Sequence, residues 1–182
     1  MPVVGGLRVA AMIVPKQIEA VLASTKILIV DDEPYMRKVV RSLLLFVGVK
    51  KIHEAGDGAA GLEAIGTVLP DIVILDWEMP LLNGPEFVRV VRSPATFAQS
   101  DVPIMMLTGH VERSRVVEAI LLGVNEYICK PVAAKTLLDR IVSIRTKPRP
   151  IVQLGNYYGP APRKFVTEAL KQPGAQPELA WV

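Results

Sequence analysis

Four apolar runs in this chain each stop at a residue able to do chemistry, and that regularity constrains the fold more than any other feature. Ile27–Val30 stops at Asp31 and Asp32, and Ile72–Leu75 stops at Asp76. Ile104–Leu107 stops at Thr108 and Gly109, and Tyr127–Cys129 stops at Lys130 and Pro131. Runs this short, rich in β-branched residues and bounded by polar, Gly or Pro residues, have the form of strands buried on both faces. With Lys51–His53 they make five predicted strands: Lys26–Val30, Lys51–His53, Ile72–Leu75, Val102–Leu107 and Tyr127–Cys129. Between and after them, helical periodicity predicts helices over Pro34–Val47, Ala59–Val68, Pro85–Arg92, Arg113–Leu122 and Ala133–Arg145.

Strand alternating with helix five times implies an α/β fold, a parallel sheet doubly wound with helices on both faces. In such sheets ligands sit beyond the carboxyl ends of the strands. The residues that close the strands are therefore gathered on one edge. Asp31, Asp32 and Asp76 would repel one another there unless a cation sat among them, and magnesium suits a site offering a few protein oxygens. The other reading of Asp31 or Asp32 is a helix cap ahead of Pro34. Thr108 adds a hydroxyl and Lys130 an ammonium. Carboxylate nucleophile, magnesium, hydroxyl and cation together suit phosphate chemistry.

Val30–Pro34, Leu75–Pro80 with Asn83 and Gly84, Leu107–Gly109 and Tyr127–Pro131 resemble, in residues and spacing, the response-regulator receiver domains of bacterial two-component signalling. The resemblance covers about residues 26–145. It implies a flavodoxin-like strand order 2-1-3-4-5. It implies that Asp76 accepts a phosphoryl group from a sensor histidine kinase or a histidine phosphotransfer protein. Asp32 and Asp76 would ligate Mg2+ directly, Asp31 largely through water, and the backbone carbonyl of Glu78 would be a further ligand. Lys130 would pair with the phosphoryl oxygens, Thr108 would swing to bond them, and Tyr127 would move inward. An aspartate-nucleophile phosphohydrolase of the haloacid dehalogenase type uses similar groups, but there the nucleophile ends the first motif strand and the acid pair comes last. A third reading is a receiver that serves only as a scaffold, against which the intact Asp32, Asp76, Thr108 and Lys130 argue. The expected protein is thus a phosphoacceptor rather than an enzyme with an external substrate.

Glu78 stands two residues after Asp76, where its carboxylate either hangs over the site, repelling a phosphoryl group or orienting a water, or stands in solvent as an ordinary loop residue. His110, two residues after Thr108, reads as a surface-loop histidine. A single cysteine excludes an internal disulfide or a thiolate zinc cluster, and Cys129 reads as buried and inert. No apolar run approaches the roughly 20 residues a bilayer requires, so a cytoplasmic protein is expected.

The net charge of +3 is unevenly placed. Residues 1–144 carry 15 Lys/Arg and 16 Asp/Glu, whereas 145–182 carry 6 and 2. The basic character belongs to the tail, and the sheet domain is close to neutral. The organisation expected is an N-terminal arm (1–24), partly helical through Ile18, Val21 and Leu22, a receiver (25–146) and a basic, Pro-rich tail (147–182). The tail reads as extended or irregular apart from a short helix over Arg163–Lys171, with no DNA-binding domain. In the first helix of the sheet domain, Met36, Val39, Val40, Leu43 and Val47 share one face. Leu45 lies opposite and Phe46 on the flank, an apolar patch that points to a homodimer or to cover by the N-terminal helix.

Overall fold

The computed structural model describes residues 15–109 and 113–162. His110, the apolar segment before Pro15 and the expected helix over Arg163–Lys171 lie outside the described residues. Five parallel strands, β1 (Lys26–Val30), β2 (Lys51–Ala55), β3 (Ile72–Asp76), β4 (Ile104–Thr108) and β5 (Glu126–Cys129), form one sheet in the order β2-β1-β3-β4-β5. The helices are α1 (Lys16–Ser24), α2 (Pro34–Phe46), α3 (Gly58–Val68), α4 (Gly84–Val91), α5 (Arg113–Leu121) and α6 (Ala134–Thr146). The doubly wound parallel sheet and its strand order agree with expectation. β2 runs two residues longer than the sequence predicts, because Glu54 and Ala55 pair with Ile29 and Val30.

The alternation of side chains along each strand divides the core in two. Ile27, Ile29, Ile72, Ile74, Met105 and Leu107 point to the face covered by α2 and α6. Leu28, Val30, Val73, Leu75, Ile104 and Met106 point to the other, with Phe87, Val88 and Val91 of α4 and Ala119 of α5. β1, β3 and β4 are therefore apolar on both sides, as a parallel sheet between two helical layers requires, whereas the edge strand β2 is largely exposed. Polar groups are left to the strand ends.

α1 belongs to the first layer. Leu22 is fully buried among Val40, Leu44, Val47 and Val49, with Ile18 packed beside it. On α2 the buried positions are Val40 and Leu44, with Val47 just beyond the helix. Leu45 and Phe46 stay 52 % and 57 % exposed, so α1 does not cover them.

The tail departs from expectation. Ile151–Leu154 (β6) and Tyr157–Pro160 (β7) form an antiparallel hairpin across the two-residue turn Gly155–Asn156. It docks beneath the amino-terminal ends of β4 and β5. The Arg92 guanidinium, buried there, donates to the carbonyls of Gly123 (2.9 Å) and Ser100 (2.6 Å) and to Asn125 Oδ1 (3.2 Å). Burial pushes Arg92 down to about 10, against the pull of Tyr157, Tyr158 and Asp101. Ser100 Oγ meets the Tyr158 hydroxyl at 3.2 Å, and Arg149 donates to the carbonyl of Asn125. Asn125 also accepts from the amide of Ile104, which ties the start of β4 to the same cluster.

Gly123 is required at this junction. Its φ is +90°, and a Cβ there would lie 2.6 Å from the Tyr158 carbonyl oxygen. Gly123→Ala is therefore expected to lower the unfolding free energy by about 2 kcal/mol or more, from left-handed backbone strain and the lost hairpin contact; a urea midpoint equal to wild type would contradict this packing.

Candidate functional site

The carboxyl ends of β1, β3, β4 and β5 open onto one edge, and the predicted site residues are there. Asp31 (2 % exposed), Asp76 (6 %) and the exposed Asp32 each offer a carboxylate oxygen, and these oxygens lie within 4.8 Å of one another. Thr108 closes β4 and is fully buried. Lys130 follows β5, its amide donating to the Thr108 carbonyl at 2.7 Å, and its peptide bond to Pro131 is cis. The Lys130 ammonium lies 2.7 Å from Asp76 Oδ1 and 3.4 Å from Asp31 Oδ2.

The backbone around Asp76 is shaped by the segment that follows it. The Glu78 amide donates to Asp76 Oδ2 at 3.0 Å. Asn83 caps α4 reciprocally with Glu86, each side chain accepting from the other's backbone amide. Gly84 lets the start of α4 pass directly against the end of β3, since a Cβ would lie 2.6 Å from the Asp76 carbonyl oxygen. The Asn83–Gly84 pair is thus the means by which the loop closes tightly over the acid. On the opposite side, Arg37 of α2 donates to the Asp31 carbonyl at 2.7 Å and pairs with Glu54 at 3.6 Å.

Three carboxylates with one ammonium among them are electrostatically unbalanced. Burial raises the Asp76 carboxyl, Asp31 adds to the rise, and Lys130 and the Glu78 amide oppose it without cancelling it. Burial alone would lower Lys130, but Asp76 and Asp31 outweigh it and raise the ammonium. Clustered carboxylate oxygens with a residual negative charge are the donor set that hard divalent cations prefer. Asp31, Asp32 and Asp76 therefore fit a magnesium ion, and a cation there would offset the charge that Lys130 leaves uncompensated.

Of the two alternatives for Glu78, its 62 % exposed side chain is nearer the solvated loop residue. It pairs with Arg115 of α5 at 3.1 Å. The same guanidinium lies 5.4 Å from the centre of the Trp77 ring, and Trp77 meets Tyr127 edge-on with centroids 6.3 Å apart. Arg115 and Arg37 escape sequence reasoning because an arginine within a helix has no local signature. Cys129 is half-buried, and burial raises its thiol.

The family model of the response regulator receiver domain matches residues 27–142. The chemotaxis protein CheY of Pseudomonas aeruginosa is 35 % identical over 119 residues, covering 65 % of this chain and 94 % of that protein. CheY-3 of Vibrio cholerae is 36 % identical over 127 residues, covering 69 % and 96 %. The crystal structure of V. cholerae CheY4 superposes with a TM-score of 0.57 at 31 % identity, over 63 % of this chain and 93 % of that one.

The raised Asp76 fixes the sign of a pH effect. A carboxyl whose folded pKa is raised contributes stability that is fully present below its unfolded value, near 3.8, and is lost as pH rises through the folded value. Without divalent cations at neutral pH, Asp76→Asn is expected to stabilise the protein, because it removes a carboxylate whose ionisation burial disfavours. The gain should vanish at pH 3. Thermal unfolding of both proteins across this range in EDTA measures it; an unchanged difference at all pH values would contradict the charge imbalance.

Proposed function

The chain belongs to the response-regulator receiver family, and on that premise we propose that it is a signalling module that accepts a phosphoryl group on Asp76 from a sensor histidine kinase or a histidine phosphotransfer protein. The observation that carries this reading is the Lys130–Asp76 contact at 2.7 Å beside the Asp31–Asp32 pair. In the transfer, an Asp76 carboxylate oxygen attacks phosphorus. The O–P bond forms as the P–N bond of the phosphohistidine breaks, and the imidazole departs with the electron pair. Lys130 holds the carboxylate in place and meets the transferred oxygens, as a compact point charge can. Thr108 supplies a hydroxyl that gains its phosphoryl partner only in the modified state. Asp31, Asp32, Asp76 and the Glu78 carbonyl would hold Mg2+, which when bound offsets the charge of the carboxylates and of the phosphoryl group.

A modification that adds about −1.5 to −2 charge at the end of β3 changes what Thr108 and Lys130 bond to. Contacts that differ between two states shift the equilibrium between them. Tyr127, on β5 between Thr108 and the edge of the sheet, is the residue that reports the change at the surface. The output in this reading is a protein contact or onward phosphate relay. Among the described residues no helix is long and apolar enough to cross a membrane.

Acetyl phosphate with Mg2+ is expected to label the wild type at one site, and Asp76→Asn is expected to abolish the label. Multiple turnover of small phosphate esters would instead indicate a phosphohydrolase, and an unlabelled wild type a scaffold.

Leu45 and Phe46, exposed beside each other on α2, support a second proposal, that two copies associate through this helix. Leu45→Glu should then halve the mass seen by light scattering; an unaltered dimer, or a wild type already monomeric, would refute it.

A further inference from the structure

Arg37 reaches from α2 to the backbone of the acid cluster. Its Nη1 donates to the Asp31 carbonyl at 2.7 Å, and its Nε faces the Glu54 carboxylate at 3.6 Å. The side chain is 19 % exposed, so these contacts are largely shielded from water. Glu54 lies near the end of β2, and Arg41, one turn further along α2, pairs with it at 3.1 Å. The guanidinium also lies against the turn that follows β2, since a Cβ on Gly56 would stand 3.7 Å from Nη1. It is braced from two sides while it holds the carbonyl.

The held carbonyl matters for the residue after it. A peptide unit is planar, so fixing the Asp31 C=O also fixes the direction in which the chain enters Asp32. The rest of Asp31 is anchored as well. Its amide donates to the Ala55 carbonyl at 3.3 Å, Oδ1 accepts from the Glu33 amide at 2.8 Å, and Oδ2 faces the Lys130 ammonium at 3.4 Å. Asp32 is exposed, and its carboxylate is carried to within 4.8 Å of Asp31 and Asp76 by the peptide that Arg37 holds. Charge and geometry make opposite demands on Arg37. As a bare charge it would repel a cation at the cluster, and its removal would tighten binding. As a brace it keeps a ligand aimed at the cation, and its removal would weaken binding.

Resting on the reading of Asp31, Asp32 and Asp76 as a divalent-cation site, we propose that Arg37 is a positioning residue for that cation. It acts through the Asp31–Asp32 peptide and holds the Asp32 carboxylate in the cluster.

The test uses the full chain and Mn2+, which suits the same oxygen ligands as Mg2+, with the free ion counted by electron paramagnetic resonance. Arg37→Met should weaken Mn2+ about ten-fold, the order lost when a group that orients a metal ligand is removed. Arg37→Lys keeps the charge but has one nitrogen where the guanidinium uses two, and should weaken Mn2+ about three-fold. Arg41→Met takes the same charge and a partner of the same Glu54 from α2 without touching the Asp31 carbonyl, and should bind at least as tightly as the wild type. In the Asp32→Asn background, Arg37→Met should cause no further loss. Circular dichroism shows which variants are folded; if Arg37→Met is not, Arg37→Lys decides, and unchanged binding there overturns the proposal. Folded Arg37→Met that binds as tightly as the wild type or more tightly would also overturn it. So would an equal loss in the Asp32→Asn background, which would show that Asp32 is not the route. A wild type that leaves Mn2+ free would refute the cation reading itself, a result distinct from a site that binds Mn2+ but is indifferent to Arg37.

Discussion

Every part of this structure answers to one constraint: the sheet is covered on both faces. β1, β3 and β4 have no side on which a polar residue can meet water, so their interiors are apolar throughout. Hydrogen-bonding and charged groups are displaced to where the strands emerge. At the carboxyl edge this concentrates Asp31, Asp76, Thr108 and Lys130 into a small volume. At the amino edge it leaves Arg92, Ser100 and Asn125 in need of partners. The two poles of the molecule are the two outlets of a dry core, and they are handled differently. One keeps its charges close and uncompensated, and the other satisfies them with backbone carbonyls and a hairpin.

The charge imbalance at the carboxyl edge is retained although Lys130 could be joined by a second cation. Among the described residues the ion pairs of Arg37 and Arg115 are with Glu54 and Glu78, not with a carboxylate of the acid cluster. Arg37 donates to the Asp31 carbonyl and pairs with Glu54, while Arg115 is taken up by Glu78 and Trp77. The cluster thus stays negative enough to attract a divalent cation, in the way functional sites commonly forgo local stability.

Sequence reasoning reached the acid cluster because each of its members ends an apolar run, and an apolar run buried on both faces has only one place to put its terminal polar residue. The same logic failed for Arg115, whose importance comes from where α5 is laid against the β3–α4 loop. It left Glu78 undecided, because a side chain's rotamer depends on a partner far away in the chain. Leu44 was overlooked beside Val40 and Leu43, since the boundary of a helix's buried face is set by its neighbours, here α1 and α6. The hairpin had one local sign, the Gly155–Asn156 pair between Ile151–Val152 and Tyr157–Tyr158, a two-residue spacing suited to a tight turn. The prolines around it, at 148, 150, 160 and 162, read instead as an extended chain. Its order comes from docking onto Gly123 and Ser100 rather than from propensity.

The docked hairpin gives β5 two unlike ends. At its start, Gly123 lies against the Tyr158 and Gly159 backbone, and Asn125 is held by Arg92, Arg149 and the amide of Ile104. At its finish, Tyr127 meets Trp77 edge-on and Lys130 reaches Asp76 at 2.7 Å. The strand is thus anchored to the hairpin at its amino end and to the acid cluster just past its carboxyl end. Residues 149–160, beyond the matched family segment, thereby add to the anchoring of a strand within it.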